Sequence, residues 1–158
     1  DPKSATARRI EDLGLTDAVT LHSGLSDDAL ADLLASAEVM AVPSLYEGFS
    51  LPTVEALACG TPVVASRAGA LPETVGEAAR LVTPGDVGEL TEALGELLDD
   101  PAERDRLAAL GLARVEERYS WTSVAAATVT AYETAIAKTQ NATKTQNATQ
   151  KRNARADR

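Results

Sequence analysis

One cysteine, one histidine, one tryptophan, one phenylalanine and one methionine stand among the 158 residues. Cys59 alone can form no intrachain disulfide, and with His22 as the only histidine no structural zinc cage can be assembled from this chain. No run of eighteen or more apolar residues reads as a membrane-spanning helix. The opening DPKSATARRIEDLG lacks the apolar stretch of a signal peptide, so the expected compartment is cytoplasmic and membrane association is not indicated. No GxGxxG follows an apolar run, which removes the fingerprint of a dinucleotide dehydrogenase.

Positive charge is also scarce where the apolar residues are. Residues 1–137 carry nine Lys or Arg against 23 Asp or Glu, whereas 138–158 carry six against one. An acidic body repels nucleic-acid phosphates, so no nucleic acid is expected as a partner. With 44% apolar residues, the chain has enough material for one folded domain.

Short apolar runs alternate with amphipathic stretches to about residue 137, the pattern of βαβ units and a parallel sheet. SATARRIEDLG predicts a helix closed by Gly14, and VTLHSG, Val19 to Gly24, a strand. Ser26 is placed to cap a helix whose Ala29, Leu30, Leu33, Leu34 and Ala37 recur at helical spacing. VMAVPS, TPVVAS and ARLVTP predict three more strands, and a helix from about Pro52 to Ala58 is stopped by Gly60. Asp86 with Glu89 forms a capping-box-like pair, Pro101 opens a further helix, and Ser120 caps a last helix from Trp121 to about Lys138. The remaining residues, 138–158, hold KTQNAT twice in tandem with almost nothing apolar, and read as a disordered basic tail. Asn141 and Asn147 match glycosylation acceptors in pattern only, and the basic Lys151, Arg152, Arg155 and Arg158 read as solvated.

The stretch VPSLYEGFSLPTVEALACGTPVVASRAGALPE, Val42 to Glu73, carries the chemistry. A buried strand ends at Pro43 and Ser44, a loop holds Glu47 and Gly48, and a helix begins at Pro52. Ligands of open α/β sheets gather at this carboxyl edge. The first N–H groups of a helix have no partner inside it, Pro52 has none to offer, and Leu51 at the expected cap supplies no side-chain acceptor. Gly48 lets backbone approach a ligand closely, so the amides of Phe49, Ser50, Leu51, Thr53 and Val54 suit an anion such as a diphosphate. The helix dipole would add roughly 0.3–2 kcal/mol there. Glu47 and Glu55, eight residues apart, would repel a diphosphate directly, and make sense as acceptors of hydrogen bonds from hydroxyl groups.

Taken together, EGFSLPTVE with its Glu-x7-Glu spacing, EALACGTPVVAS, the later LPE and the terminal YSWTSV resemble the donor-site signature of glycosyltransferase family 4. The resemblance covers nearly everything from Ala5 to Ile136. It implies an α/β fold, a Rossmann-like parallel sheet with flanking helices, forming the C-terminal half of a two-domain GT-B fold without its first strands. It implies that Glu47 contacts donor-sugar hydroxyls near the reacting carbon and is the catalytic carboxylate. Glu55 would bind the ribose, and Gly48, Phe49, Ser50, Leu51, Thr53 and Val54 would line the nucleotide-sugar site. The anomeric configuration would be retained by front-face attack, with no metal. UDP-sugars are the expected donors, GDP-mannose next. Ser50 stands where many members have glycine, which raises the question of positive φ at that position.

Upstream strands with a basic diphosphate clamp, and an N-terminal acceptor-binding domain, are absent from the sequence. The expectation is a donor-binding fragment, inactive in transfer by itself. Alternatives are a non-catalytic nucleotide-binding or assembly module, or a phosphorylase or epimerase of the same architecture. His22 and Cys59 read as structural residues, Leu25 as either core or base pocket, Glu73 as a helix-capping residue, and Arg67 and Arg80 as solvated.

Overall fold

The computed structural model describes residues 4–156, with side chains described through residue 139. The chain divides into two compact units, Asp1–Leu33 and Leu34–Arg158. In the first, α1 (Ala5–Asp12) starts where Ser4 Oγ accepts the Ala7 N–H at 3.0 Å. It ends before Gly14, whose φ of 68° is the left-handed turn that glycine adopts without a Cβ penalty.

Val19 to Gly24 is not a strand. A strand exists only through hydrogen bonds to a neighbour. The N–H of Val19 donates instead to Leu15 O at 3.0 Å, and Leu21 is 56% exposed. His22 and Leu25 are exposed in this unit. The next helix, α2 (Asp27–Ser36), begins as its sequence predicts, with the Ala29 N–H donating to Ser26 Oγ at 3.3 Å.

The second unit contains three parallel strands, β1 (Met40–Val42), β2 (Val63–Ser66) and β3 (Ala79–Val82), in the order β1-β2-β3. Met40 pairs with Val63, and Val63 with Ala79. All four residues of β2 are buried, so the central strand is covered on both faces, which explains why its sequence shows no polar alternation. Helix α3 (Leu51–Ala58) connects β1 to β2, and α4 (Leu71–Val75) connects β2 to β3. After β3 come α5 (Val87–Asp99), α6 (Pro101–Arg118) and α7 (Trp121–Ala156).

Val64, Val82, Ala93, Leu97 and Leu107 form one buried cluster, joining the sheet to α5 and α6. Burial of each Val or Leu side chain contributes about 1.5–3 kcal/mol. Helix α6 also lies against α3, so closely that a Cβ on Gly111 would stand 2.9 Å from Leu57 Cδ2. The two helices meet through a missing side chain.

Where a disordered tail is expected from residue 138, the backbone continues α7 to Ala156. From Trp121 onward there is no Gly or Pro to interrupt the i→i−4 ladder, and Ser120 caps its start by accepting the Ser123 N–H at 3.2 Å. The side chains of Asn141, Asn147, Lys151, Arg152 and Arg155, together with Arg158, lie outside the described residues. Arg80, expected to be solvated, pairs with Glu96 across an exposed surface.

Candidate active site

Strand β1 stops at Val42, and the chain leaves the carboxyl edge of the sheet through residues 43–50 before entering α3. Each part of this loop is held from a different direction. Ser44 Oγ donates to Glu47 Oε1 at 3.0 Å, fixing the carboxylate that the spacing singles out. Glu47 O accepts the Ala70 N–H at 2.9 Å. That approach depends on Gly69, with φ of 53°, because any Cβ there would overlap the Glu47 backbone. Further on, Phe49 O accepts Thr74 Oγ1–H at 3.2 Å, and the Phe49 ring meets Tyr119 edge-on with centroids 5.7 Å apart.

Ser50 answers the question its identity raises. It adopts φ 62° and ψ 74°, and is the only non-glycine residue with positive φ among the described residues. A left-handed L-residue is disfavoured by roughly 1–2 kcal/mol. Its buried hydroxyl is engaged with Thr53 Oγ1 at 2.7 Å, a local hydrogen bond that offsets part of that cost.

This turn decides which amides remain open. The N–H groups of Thr53 and Val54 both donate to Ser50 O, at 3.1 and 3.4 Å, so the expectation that these two amides face an anion is corrected. Ser50, not Leu51, is the cap residue, and its carbonyl satisfies the first helical donors. Among the described residues, no acceptor is met by the N–H groups of Gly48, Phe49, Ser50 and Leu51. Gly48, Phe49 and Leu51 are exposed, the last two by 47% and 58%, whereas Ser50 between them is 6% exposed. The open amides therefore sit one step earlier in the chain than the helical pattern suggests.

Helix α3 buries Thr53, Val54, Ala56 and Leu57. Leu51 and Glu55, one turn apart, stand on the opposite stripe. Glu55 is half-buried, and no protein donor reaches its carboxylate among the described residues. Glu47 precedes the open amides and Glu55 follows them. A cleft of about 210 Å³ at the carboxyl ends of the strands is lined by Pro43, Ser66, Val82, Thr83, Asp86 and Val87, and includes none of the residues from Glu47 to Glu55. Unpartnered backbone, not concavity, marks the loop.

Sequence reasoning missed Thr74, Tyr119 and Gly69. The first two act from 25 and 45 positions away, over Phe49 O and Thr74 O respectively. Gly69 lies in the RAGALPE segment at 67–73, and its lack of a side chain was the available signal. No group of three or more His, Cys, Asp or Glu among the described residues is arranged to hold a metal ion.

The parallel three-stranded sheet with flanking helices is the α/β architecture of a GT-B glycosyltransferase domain. Residues 3–112 match the family model described as glycosyl transferases group 1, and the chain belongs to that family. It is 62% identical over 141 residues to the MMP alpha-(1->4)-mannosyltransferase of Mycolicibacterium hassiacum, covering 87% of this chain and 34% of that protein. Sucrose-phosphate synthase from Thermosynechococcus elongatus superimposes with a TM-score of 0.74 at 38% identity, over 87% of this chain and 37% of that one. Anabaena HepE in complex with UDP matches with a TM-score of 0.74 at 26% identity, over 82% and 36%. The chain thus spans about a third of the length of these relatives. No helix among the described residues is long and apolar enough to cross a membrane.

Proposed function

We propose that this chain is the donor-binding part of a retaining glycosyltransferase that moves a hexose, mannose foremost, from a nucleoside diphosphate sugar to an acceptor hydroxyl. The observation that carries the reading is the row of unpartnered N–H groups from Gly48 to Leu51, lying between Glu47 and Glu55 at the start of α3. Four backbone donors without protein acceptors suit an anion, and the adjoining helix N-terminus favours negative charge. Glu47 and Glu55 supply acceptors for hydroxyls, the first from the transferred sugar and the second from the ribose. The mannosyltransferase name of the relative at 62% identity supports mannose as the sugar, and the UDP complex of HepE supports a nucleotide as the ligand.

In the transfer, the bond between the anomeric carbon and the diphosphate oxygen breaks, and its electron pair leaves with the diphosphate. The acceptor hydroxyl attacks from the same face, and its proton passes to the departing diphosphate. The chain's part is to hold the developing negative charge with donors that are already oriented, which lowers the barrier without reorganisation at the moment of reaction. Glu47, steadied by Ser44, keeps the sugar in register with that leaving group.

Calorimetric titration of the chain with GDP-mannose and with UDP-glucose tests the site. Glu55→Ala should weaken nucleotide binding about 10- to 150-fold, the equivalent of one charged hydrogen-bonding site. Equal affinity of variant and wild type for both nucleotides would rule the reading out.

A further inference from the structure

The four open amides do not point at random, because two of their carbonyl neighbours are pinned by the same short helix. In a planar trans peptide the C=O and the following N–H point in opposite directions. The carbonyl of Glu47 shares its plane with the N–H of Gly48, and the carbonyl of Phe49 with the N–H of Ser50. Glu47 O accepts the N–H of Ala70, the cap residue just before α4, and Phe49 O accepts the hydroxyl of Thr74 within α4. Both carbonyls are thus drawn toward α4, which turns the Gly48 and Ser50 N–H groups away from it, toward a common side.

Helix α4 is itself clamped at its other end. Arg114 Nε donates to Thr74 O at 2.7 Å, and the same guanidinium donates to Glu73 O. Tyr119 Oη–H donates to Thr74 O at 3.0 Å while its ring rests edge-on against Phe49. Thr74 is 2% exposed, so its single hydroxyl contact with the loop is sheltered from competing water.

We propose that α4 is a jig for the donor-binding loop: Thr74 is a positioning residue that aims the Ser50 amide, Ala70 aims that of Gly48, and Arg114 with Tyr119 holds the jig in place. The pair of aimed amides takes phosphate oxygens of a nucleoside diphosphate, an assignment that rests on the proposed function. Thr74 touches no ligand and acts only through the peptide plane it fixes.

The test compares Thr74→Val, which keeps the shape and deletes the hydroxyl, with Thr74→Ser, which restores a donor. Calorimetry with GDP, UDP and the corresponding nucleosides, together with amide NMR spectra, reads the outcome. Thr74→Val should lower affinity for the tighter-binding diphosphate by about tenfold, the scale of one misdirected hydrogen bond to a charged group, with nucleoside affinity unchanged. Thr74→Ser should return it to within about threefold of wild type. In the wild-type chain, the Gly48 and Ser50 amide resonances should move most on adding the diphosphate, and in Thr74→Val the Ser50 shift should shrink. Unchanged diphosphate affinity in Thr74→Val, or equal loss of diphosphate and nucleoside binding, overturns the jig. The first of these leaves Glu55-dependent binding, and with it the proposed function, standing. A wild-type chain that binds neither diphosphate overturns both.

Discussion

Helices α3 and α5 both begin at the carboxyl edge of a parallel strand, yet their entrances are built in opposite ways. At α5, Asp86 Oδ1 accepts the Glu89 N–H at 3.0 Å, and Glu89 Oε2 reaches back to the Thr83 N–H at 2.7 Å. The helix closes on its own side chains. At α3 there is no side-chain cap, the cap residue is left-handed, and the N–H groups from Gly48 to Leu51 meet no protein acceptor among the described residues. Helix α6 follows the closed plan, with Asp100 accepting the Glu103 N–H at 3.0 Å. The difference separates a helix start that serves the fold from one left open to a ligand. Substitutions at the open entrance should therefore lower nucleotide affinity, and those at the closed entrances should leave it unchanged.

The strongest way to break this comparison is at Gly69. A Cβ there meets Glu47 backbone rather than a yielding side chain, at a residue whose φ of 53° already disfavours any L-residue. Gly69→Ala should lower stability by about 4 kcal/mol or more and abolish nucleotide binding, because the loop must move. Denaturant unfolding and calorimetry on one sample would reveal a smaller role if both changed little.

Ser50 offers a finer cut. Ser50→Ala keeps the disfavoured φ and strands the buried Thr53 hydroxyl, for an expected loss of about 1–3 kcal/mol. Ser50→Gly relieves the backbone as it loses the same bond, and should be the milder of the two by about 1 kcal/mol. If chemical denaturation ranks them the other way, the left-handed turn is not under the strain assigned to it.

Asp86→Ala probes the closed entrance. Removing this cap should lower stability by about 1 kcal/mol while nucleotide affinity stays at the wild-type level. A parallel fall in affinity would show that the two entrances are not separate.

The smallest effect is a pH dependence. Hydrogen bonding from Thr83, through its side chain first and its backbone N–H second, holds the Glu89 carboxyl below the usual glutamate value, against weaker opposing effects of desolvation and of Asp86. A carboxylate depressed in the folded state contributes stability that is complete above its unfolded value and fades as pH falls through the folded one. Thermal unfolding of wild type and Glu89→Gln should therefore differ near neutrality and converge in acid. Curves that stay parallel through that range would remove Glu89 from the closed entrance.

Contacts between residues three or four apart were open to reading without coordinates. Ser4, Ser26, Asp86, Asp100 and Ser120 each accept an N–H from a residue three positions on, and each lies at an expected helix start or beside one. The strands at Met40, Val63 and Ala79 were visible as short apolar runs between helical stretches, although of the three only β2 is buried along its whole length. The motif from Glu47 to Glu55 was equally plain, since its glycine, proline and paired carboxylates sit close together in the chain.

Only the tertiary structure decided the rest. Whether Val19 to Gly24 becomes a strand depends on a pairing partner that no local pattern supplies. Which amides stay open depends on Ser50 turning left-handed, a conformation that would be disfavoured in isolation and is held here by burial and by Thr53. The direction of those amides depends on Thr74, and its placement on Arg114 and Tyr119, residues brought together only when α6 closes over α3 and α4. Local hydrogen bonds are written in the spacing of neighbours. The aim of a peptide plane is set by whatever packs against its carbonyl, however far along the chain that group lies.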